Sequence, residues 1–518
     1  MYIFFAKLIK LLNMHINKKK IIFIFIFLIS LPLVFFGDPG FYGDDYHYMR
    51  SNNNNLTFFE MLNQWFDSYG LVYRPIGIVI HLTLFKLFTS NSILAYSVSL
   101  ILYILLTYRT FSLSIKITDE KSIFPLFILV FFAFFPFNAT AFYQLSSMYM
   151  LITYIGLFYF IEILIYQTSN HSIFKKIVLS LFWLSLLFSY ESMIGISLVI
   201  PMLIFFEERK DNNSFDIKKY ISPILVIAIP TLIFLFFYLS NPLNMKLINL
   251  NEINNNHLKI ESLEENLLLE NYQDKKESFS IYDNKLSDLS NKMFKAAYFF
   301  IDSIIYFYEH IKYSLKFIFF SIFGLLILFY YTFKYKNSSS NNLYSFYLII
   351  IGVIWTFGSI LPFLIYPGFK IPTYHLLLPS FGLGIVCYGF LSLIFKKNTL
   401  IVSKYSIIII VILFYIIQAS YLIGLKEELL YWKNLAFITN NQIVNTDYKN
   451  SILIENIPKK NNDHIFWLEK AVGKRYFLLQ VNKLSNKEYF VESFDSIKII
   501  NNKDTRSLYI LLNNNQLK

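Results

Sequence analysis

Two adjacent carboxylates, Asp44 and Asp45, follow directly on the first apolar segment of the chain, within Gly43-Asp44-Asp45-Tyr46. Charges where a helix leaves a bilayer are costly unless they are solvated, paired or at work. As structure, the pair would be a solvated turn with a helix cap, a place where Asp is common. As chemistry, the pair would supply a general base for proton abstraction, alone or with a metal.

Four further places hold residues with chemical capacity. Tyr73-Arg74-Pro75 ends the same loop. Arg74 would either snorkel toward headgroups or use its guanidinium as a bidentate phosphate binder. Glu191, within Phe188-Ser189-Tyr190-Glu191-Ser192, interrupts a long apolar stretch. It is either a satisfied polar residue between helices or a functional acid at membrane depth. The turn from Phe135 to Gln144 carries amides and hydroxyls, with Gln144 as a binding candidate. Tyr374 and His375 precede Leu376-Leu377-Leu378-Pro379-Ser380. A phosphate or hydroxyl contact is the chemical reading there, and an interfacial side chain the structural one.

Membrane helices must position these residues. The 518-residue chain is 56% hydrophobic and 19% aromatic. Apolar segments fall near 21–36, 93–115, 123–136, 148–166, 177–206, 221–240, 311–333, 343–366, 374–395 and 400–424, each judged against the ~20 residues a crossing needs. The formal net charge of +12 comes from Lys and Arg lying mostly in short loops. That is the positive-inside pattern rather than a nucleic-acid surface. The single cysteine, Cys387, excludes an intrachain disulfide. The opening Lys18-Lys19-Lys20 before an apolar run reads as an uncleaved first helix with a cytoplasmic amino end.

Two topologies follow. Placing Arg109/Lys116/Lys121, Lys175/Lys176, Arg209/Lys210/Lys218/Lys219, Lys334/Lys336 and Lys396/Lys397 in the cytoplasm leaves 73–90 at the interface and makes 177–206 a hairpin turning near Glu191. The rival lets 73–90 cross and 177–206 form one long helix. Both give about eleven crossings, and the first is preferred. It gathers loop 37–92, the turns 137–147 and around Glu191, loop 367–373, the polar stretch 241–310 and the tail 425–518 on the extracytoplasmic face. Residues 1–424 would form the transmembrane unit. The tail carries strand-like segments Ser451 to Ile454, Tyr476 to Val481 and Leu508 to Leu512, and reads as a small α/β domain.

The order of these motifs resembles the GT-C superfamily of integral-membrane glycosyltransferases, in the branch of bacterial aminoarabinose transferases and protein O-mannosyltransferases. The matching residues are Asp44-Asp45, Tyr73-Arg74-Pro75, Phe135-Pro136-Phe137-Asn138 with Ala141, Leu187 to Glu191 with Pro201, and Tyr374 through Leu378-Pro379-Ser380. Two positions depart from the family: Tyr190 stands where a lysine is frequent, and Tyr374 or His375 where a basic residue is expected.

The resemblance implies an all-α polytopic GT-C fold in the bacterial inner membrane. It also implies transfer of a sugar from a polyprenyl-phosphate donor to a hydroxyl of a glycan, lipid or protein acceptor, with inversion. Asp44 and Asp45 would be catalytic. Arg74, Tyr73, Glu191, Gln144, Tyr374 and His375 would bind the donor or acceptor. A divalent metal on Asp44 is left open. Polyprenyl phosphate is already a good leaving group, so one carboxylate base and cations on the phosphate suffice. The rivals are a ligase or polymerase of lipid-linked glycans, and a lipid-linked sugar transporter without covalent chemistry. A transporter calls for internal repeats and coupling-ion acids at the midplane.

Overall fold

The computed structural model describes residues 28–29, 57–69, 74–88, 92–118, 122–135, 138, 147–166, 172–211, 217–240, 319–327, 342–365, 376–395, 398–444, 451–455, 490–493 and 507–511. Nearly all of them are helical. The helices are α1 (Phe58–Tyr69), α2 (Pro75–Phe88), α3 (Ser92–Ile117), α4 (Phe124–Phe134), α5 (Met148–Tyr166) and α6 (Ile173–Leu187), then α7 (Ser192–Asp211), α8 (Ile217–Ser240), α9 (Asn342–Ile365), α10 (Leu377–Phe395) and α11 (Thr399–Val444). Strands β1 (Ser451–Glu455), β2 (Phe490–Ser493) and β3 (Ser507–Leu511) pair in parallel in the order β2-β1-β3. Tyr476 to Val481 lies outside the described residues.

Six of these helices are long and apolar enough to cross a membrane: α3, α5, α8, α9, α10 and the first part of α11. On these helices other than α5, large exposed apolar residues recur at four-residue spacing, as in Ile101 and Leu105, or Leu232 and Phe236. Such stripes on the outside of a bundle are the surface a bilayer covers. The protein is an integral membrane protein.

Between the helices the packing is close where glycine permits it. A Cβ on Gly195 of α7 would run into the Gly358 carbonyl of α9, so backbones touch there, as in membrane helix pairs built on small residues. Phe158 of α5, Trp355 of α9 and Phe381 of α10 form an aromatic knot, with ring centroids 4.9 to 5.7 Å apart.

The apolar segment 123–136 departs from its sequence reading as a full crossing. It forms the 11-residue α4, about 16 Å long at 1.5 Å per residue, too short to span ~30 Å of hydrocarbon. All of α4 is buried. Phe135 leaves helical geometry at φ −54°, ψ 123°, because Pro136 follows and clashes with a helical residue before it.

The carbonyls freed at this buried end are answered by side chains. Tyr103, near the middle of α3, donates to the Ala133 carbonyl at 2.9 Å. Asn138 Nδ2 donates to the Phe132 carbonyl at 2.7 Å and to Ser380 Oγ at 3.0 Å. Ser380 belongs to the first turn of α10, which runs antiparallel to α4 with Phe124 against Tyr388 at the far end (4.9 Å between ring centroids). One helix thus ends and another begins beside the middle of α3. Asn138→Leu should leave Ser380 Oγ without this donor and the Phe132 carbonyl with only the longer bond from Tyr103 at 3.3 Å, and lower stability by about 1–3 kcal/mol. Chemical denaturation in micelles would measure the loss.

Candidate functional site

Arg74 and Glu191 are 117 residues apart in sequence, and the fold brings them into contact. Local geometry fixes each. Pro75 opens α2 at the position where proline's missing N–H costs nothing. The Arg74 carbonyl accepts from the Ile78 N–H at 2.8 Å, the first hydrogen bond of that helix. Arg74 itself holds φ 49°, the left-handed region that non-glycine residues avoid at a cost of about 1–2 kcal/mol. Glu191 lies in the short break between α6 and α7. There the Tyr190 N–H still bonds the Leu186 carbonyl at 3.1 Å, and the Ile194 N–H already bonds that of Glu191 at 3.0 Å. The stretch 177–206 is therefore two helices with its turn at Glu191, as the Lys/Arg distribution suggested.

Gly77 lets the two pieces meet. A Cβ there would strike the Ser189 carbonyl, so the first turn of α2 can lie against the α6–α7 turn only with glycine at this position.

The ion pair is bidentate: Arg74 Nε donates to Glu191 Oε2 and Nη2 to Oε1. Nη1 donates to the Tyr149 hydroxyl at 2.7 Å. The guanidinium lies 4.6 Å over the Tyr190 ring. Tyr149 and Tyr154 set their edges against that ring at 5.9 and 5.8 Å, and His81 sets its own against Tyr149 at 5.5 Å. The Glu191 side chain is 4% exposed and that of Arg74 15%. Carboxylate and guanidinium are thus held in a shell of tyrosine, with the Glu191 charge at the amino end of α7, where the helix dipole favours an anion.

Three helices begin around this pair: α2, α5 and α7. Helix α2 lies across the end of α5 rather than alongside it. Over eight residue steps of α2, Gly77 and His81 meet Tyr149 and Phe85 shares a buried cluster with Met148, the first two residues of α5. A helix running beside α5 would have moved along it by about 12 Å over that length.

Preceding α2, helix α1 is opened by a capping box. The Thr57 N–H and hydroxyl donate to Glu60 Oε2 at 2.6 and 2.7 Å, and the Glu60 N–H returns a bond to Thr57 Oγ1 at 3.3 Å. The backbone bond first, then the hydroxyl, holds the Glu60 carboxyl below its ordinary range. Met61 of α1 packs on Ile78 and Leu82 of α2, so α1 is tied to the helix that Arg74 immediately precedes.

Of the expected site residues, the structure unites Arg74 and Glu191. Asp44, Asp45, Tyr73, Gln144, Tyr374 and His375 lie outside the described residues. Among the described residues no group of three His, Cys, Asp or Glu side chains could hold a metal. Sequence reasoning missed Tyr149, Tyr154 and His81. Tyr190 had been noticed for its departure from a family lysine, and its ring now faces a cation supplied from elsewhere in the chain. No protein-family model, curated protein or solved structure matches the chain.

Proposed function

We propose that the protein is an inverting membrane glycosyltransferase that moves a sugar from a polyprenyl-phosphate donor to a hydroxyl acceptor. The observation that carries this reading is the contact of Arg74 with Glu191. It ties the end of the loop bearing Asp44 and Asp45 to the acid that interrupts a long apolar stretch, so two motifs of the resemblance converge from distant parts of the chain.

In the reaction, the acceptor oxygen attacks the anomeric carbon and its proton passes to the Asp44 carboxylate, with Asp45 beside it. The bond from the anomeric carbon to the phosphate oxygen breaks, and the electron pair leaves with polyprenyl phosphate. A single displacement inverts the anomeric centre. Cationic donors on the departing phosphate stabilise its charge as it develops. The bidentate contact gives Glu191 a definite part: it holds the plane of the Arg74 guanidinium, with Tyr149 fixing the third nitrogen. Glu191 is therefore a positioning residue in this scheme, and Arg74, its Nε–Nη2 edge held by that carboxylate, contributes positive charge toward the departing phosphate.

A cytoplasmic amino end, the carboxyl-terminal tail as a small extracytoplasmic α/β domain and the bacterial inner membrane as location complete the proposal. The Arg74–Glu191 end of the bundle would be the outer one. The test is release of polyprenyl phosphate from a radiolabelled lipid-phosphate sugar by the purified protein in vesicles. Release coupled to labelling of a hydroxyl acceptor is the expected outcome. Movement of the intact lipid-linked sugar between leaflets without release would overturn the proposal in favour of a transporter.

A further inference from the structure

A second charged cluster lies at the other end of α5, thirteen residues or about 20 Å from Tyr149. Arg109 and Lys116 of α3 both reach one oxygen of Glu162: Arg109 Nη1 at 3.3 Å and Lys116 Nζ at 3.7 Å from Oε2. The Glu162 side chain is 6% exposed, whereas those of Arg109 and Lys116 are 32% and 34% exposed. The carboxylate is thus a buried anchor, and the cations stand at the surface. The Arg109 guanidinium also lies 4.9 Å over the ring of Tyr159. Tyr108 and Tyr159 are themselves exposed, and the exposed Leu105 and Ile101 continue from them along α3.

The arginines at the two ends of α5 are used differently. Arg74 commits its Nε–Nη2 edge to a carboxylate. Arg109 donates through Nη1 to a single oxygen, and no hydrogen-bond partner stands on its Nε–Nη2 edge among the described residues. That edge presents two parallel N–H groups, the geometry that matches phosphate oxygens. Tyr159 beneath and Glu162 beside hold the guanidinium plane before any ligand arrives.

We propose that Arg109, with Lys116 beside it, binds the phosphodiester of an anionic phospholipid headgroup in the groove between α3 and α5. The chemistry recognised is a phosphate oxyanion. The lipid source follows from the surface next to it: the exposed tyrosines suit the headgroup boundary, and Leu105 and Ile101 offer acyl chains an apolar face. A free phosphate would use neither. This site is independent of the transfer reaction proposed above. In the topology that places Arg109 and Lys116 in the cytoplasm, it meets the leaflet whose anionic lipids attract such side chains.

The test compares phosphatidylglycerol with phosphatidylcholine on the full-length protein, reading lipid retained through detergent washing by native mass spectrometry. The wild type should retain phosphatidylglycerol selectively, and Arg109→Gln should weaken that retention about tenfold, the expectation for losing a charge-assisted pair of hydrogen bonds. Arg109→Lys, which keeps the charge and loses the fork, should fall between them. It decides the question alone if the glutamine variant does not fold. Equal retention by wild type and folded variant overturns the site. Competition by soluble glycerophosphate at the same concentration overturns the lipid assignment.

Discussion

Glu191→Ala is expected to destabilise the protein by about 3–5 kcal/mol, the cost of stranding one partner of a buried ion pair. Arg74 would lose both bonds of its Nε–Nη2 edge while its charge stayed largely out of water. Tyr149 and the Tyr190 face would remain, but neither carries a neutralising charge. The strained backbone at Arg74 would then have less to hold it, and the first turn of α2 should fray. Denaturation midpoints in micelles measure the loss, and hydrogen exchange at Ile78 locates it. The double variant Arg74→Leu/Glu191→Leu should recover much of the stability, because an apolar pair in a buried position often equals or exceeds an ion pair. It should recover no transfer activity. Transfer at wild-type rate in that variant would show that the pair serves the fold alone.

Asp44→Asn should lower sugar transfer by about 10²–10⁴-fold, the range for loss of a positioned general base, while membrane insertion and thermal midpoint stay unchanged. The substitution keeps shape and removes the ability to take a proton. Asp45→Asn should cost less, since that carboxylate acts through its neighbour. The measurement is the initial rate of polyprenyl-phosphate release at saturating acceptor. An Asp44→Asn enzyme of full activity would remove Asp44 from the mechanism. A loss confined to Asp45→Asn would exchange the two roles.

Apolar runs of crossing length made the bundle legible, since hydrocarbon imposes both length and composition on a spanning helix. The break at Glu191 was legible for another reason: the basic clusters on either side, Lys175/Lys176 and Arg209/Lys210, share a membrane face only if the chain turns back between them. The short α4 was not legible. Its apolar run continues through Pro136 to Phe137; Pro136 marks where the helix can end, but nothing local says that this end is buried against Tyr103 and Asn138. At the site, a shared face for Arg74 and Glu191 could be argued from topology, but their direct pairing could not. Tyr149 was invisible, because a tyrosine at the start of an apolar segment reads as an interfacial anchor whether or not an arginine docks on it. The doublet Asp44–Asp45, the feature most prominent in the sequence, lies outside the described residues.

Helix α5 is apolar nearly all round, and such a helix has little in its own pattern to choose which face it turns inward. In hydrocarbon the neighbouring helices and the lipid tails are almost equally good company, so the rod could roll or slide like a bolt in a smooth bore. Two pins prevent it. Tyr149 is fastened to Arg74 at one end and Glu162 to Arg109 and Lys116 at the other. At about 100° per residue, the thirteen steps between them place the pins about 140° apart around the axis. No single roll or slide can satisfy one pin without unseating the other, so a handful of polar atoms sets the thread of a helix whose remaining surface leaves it free to turn.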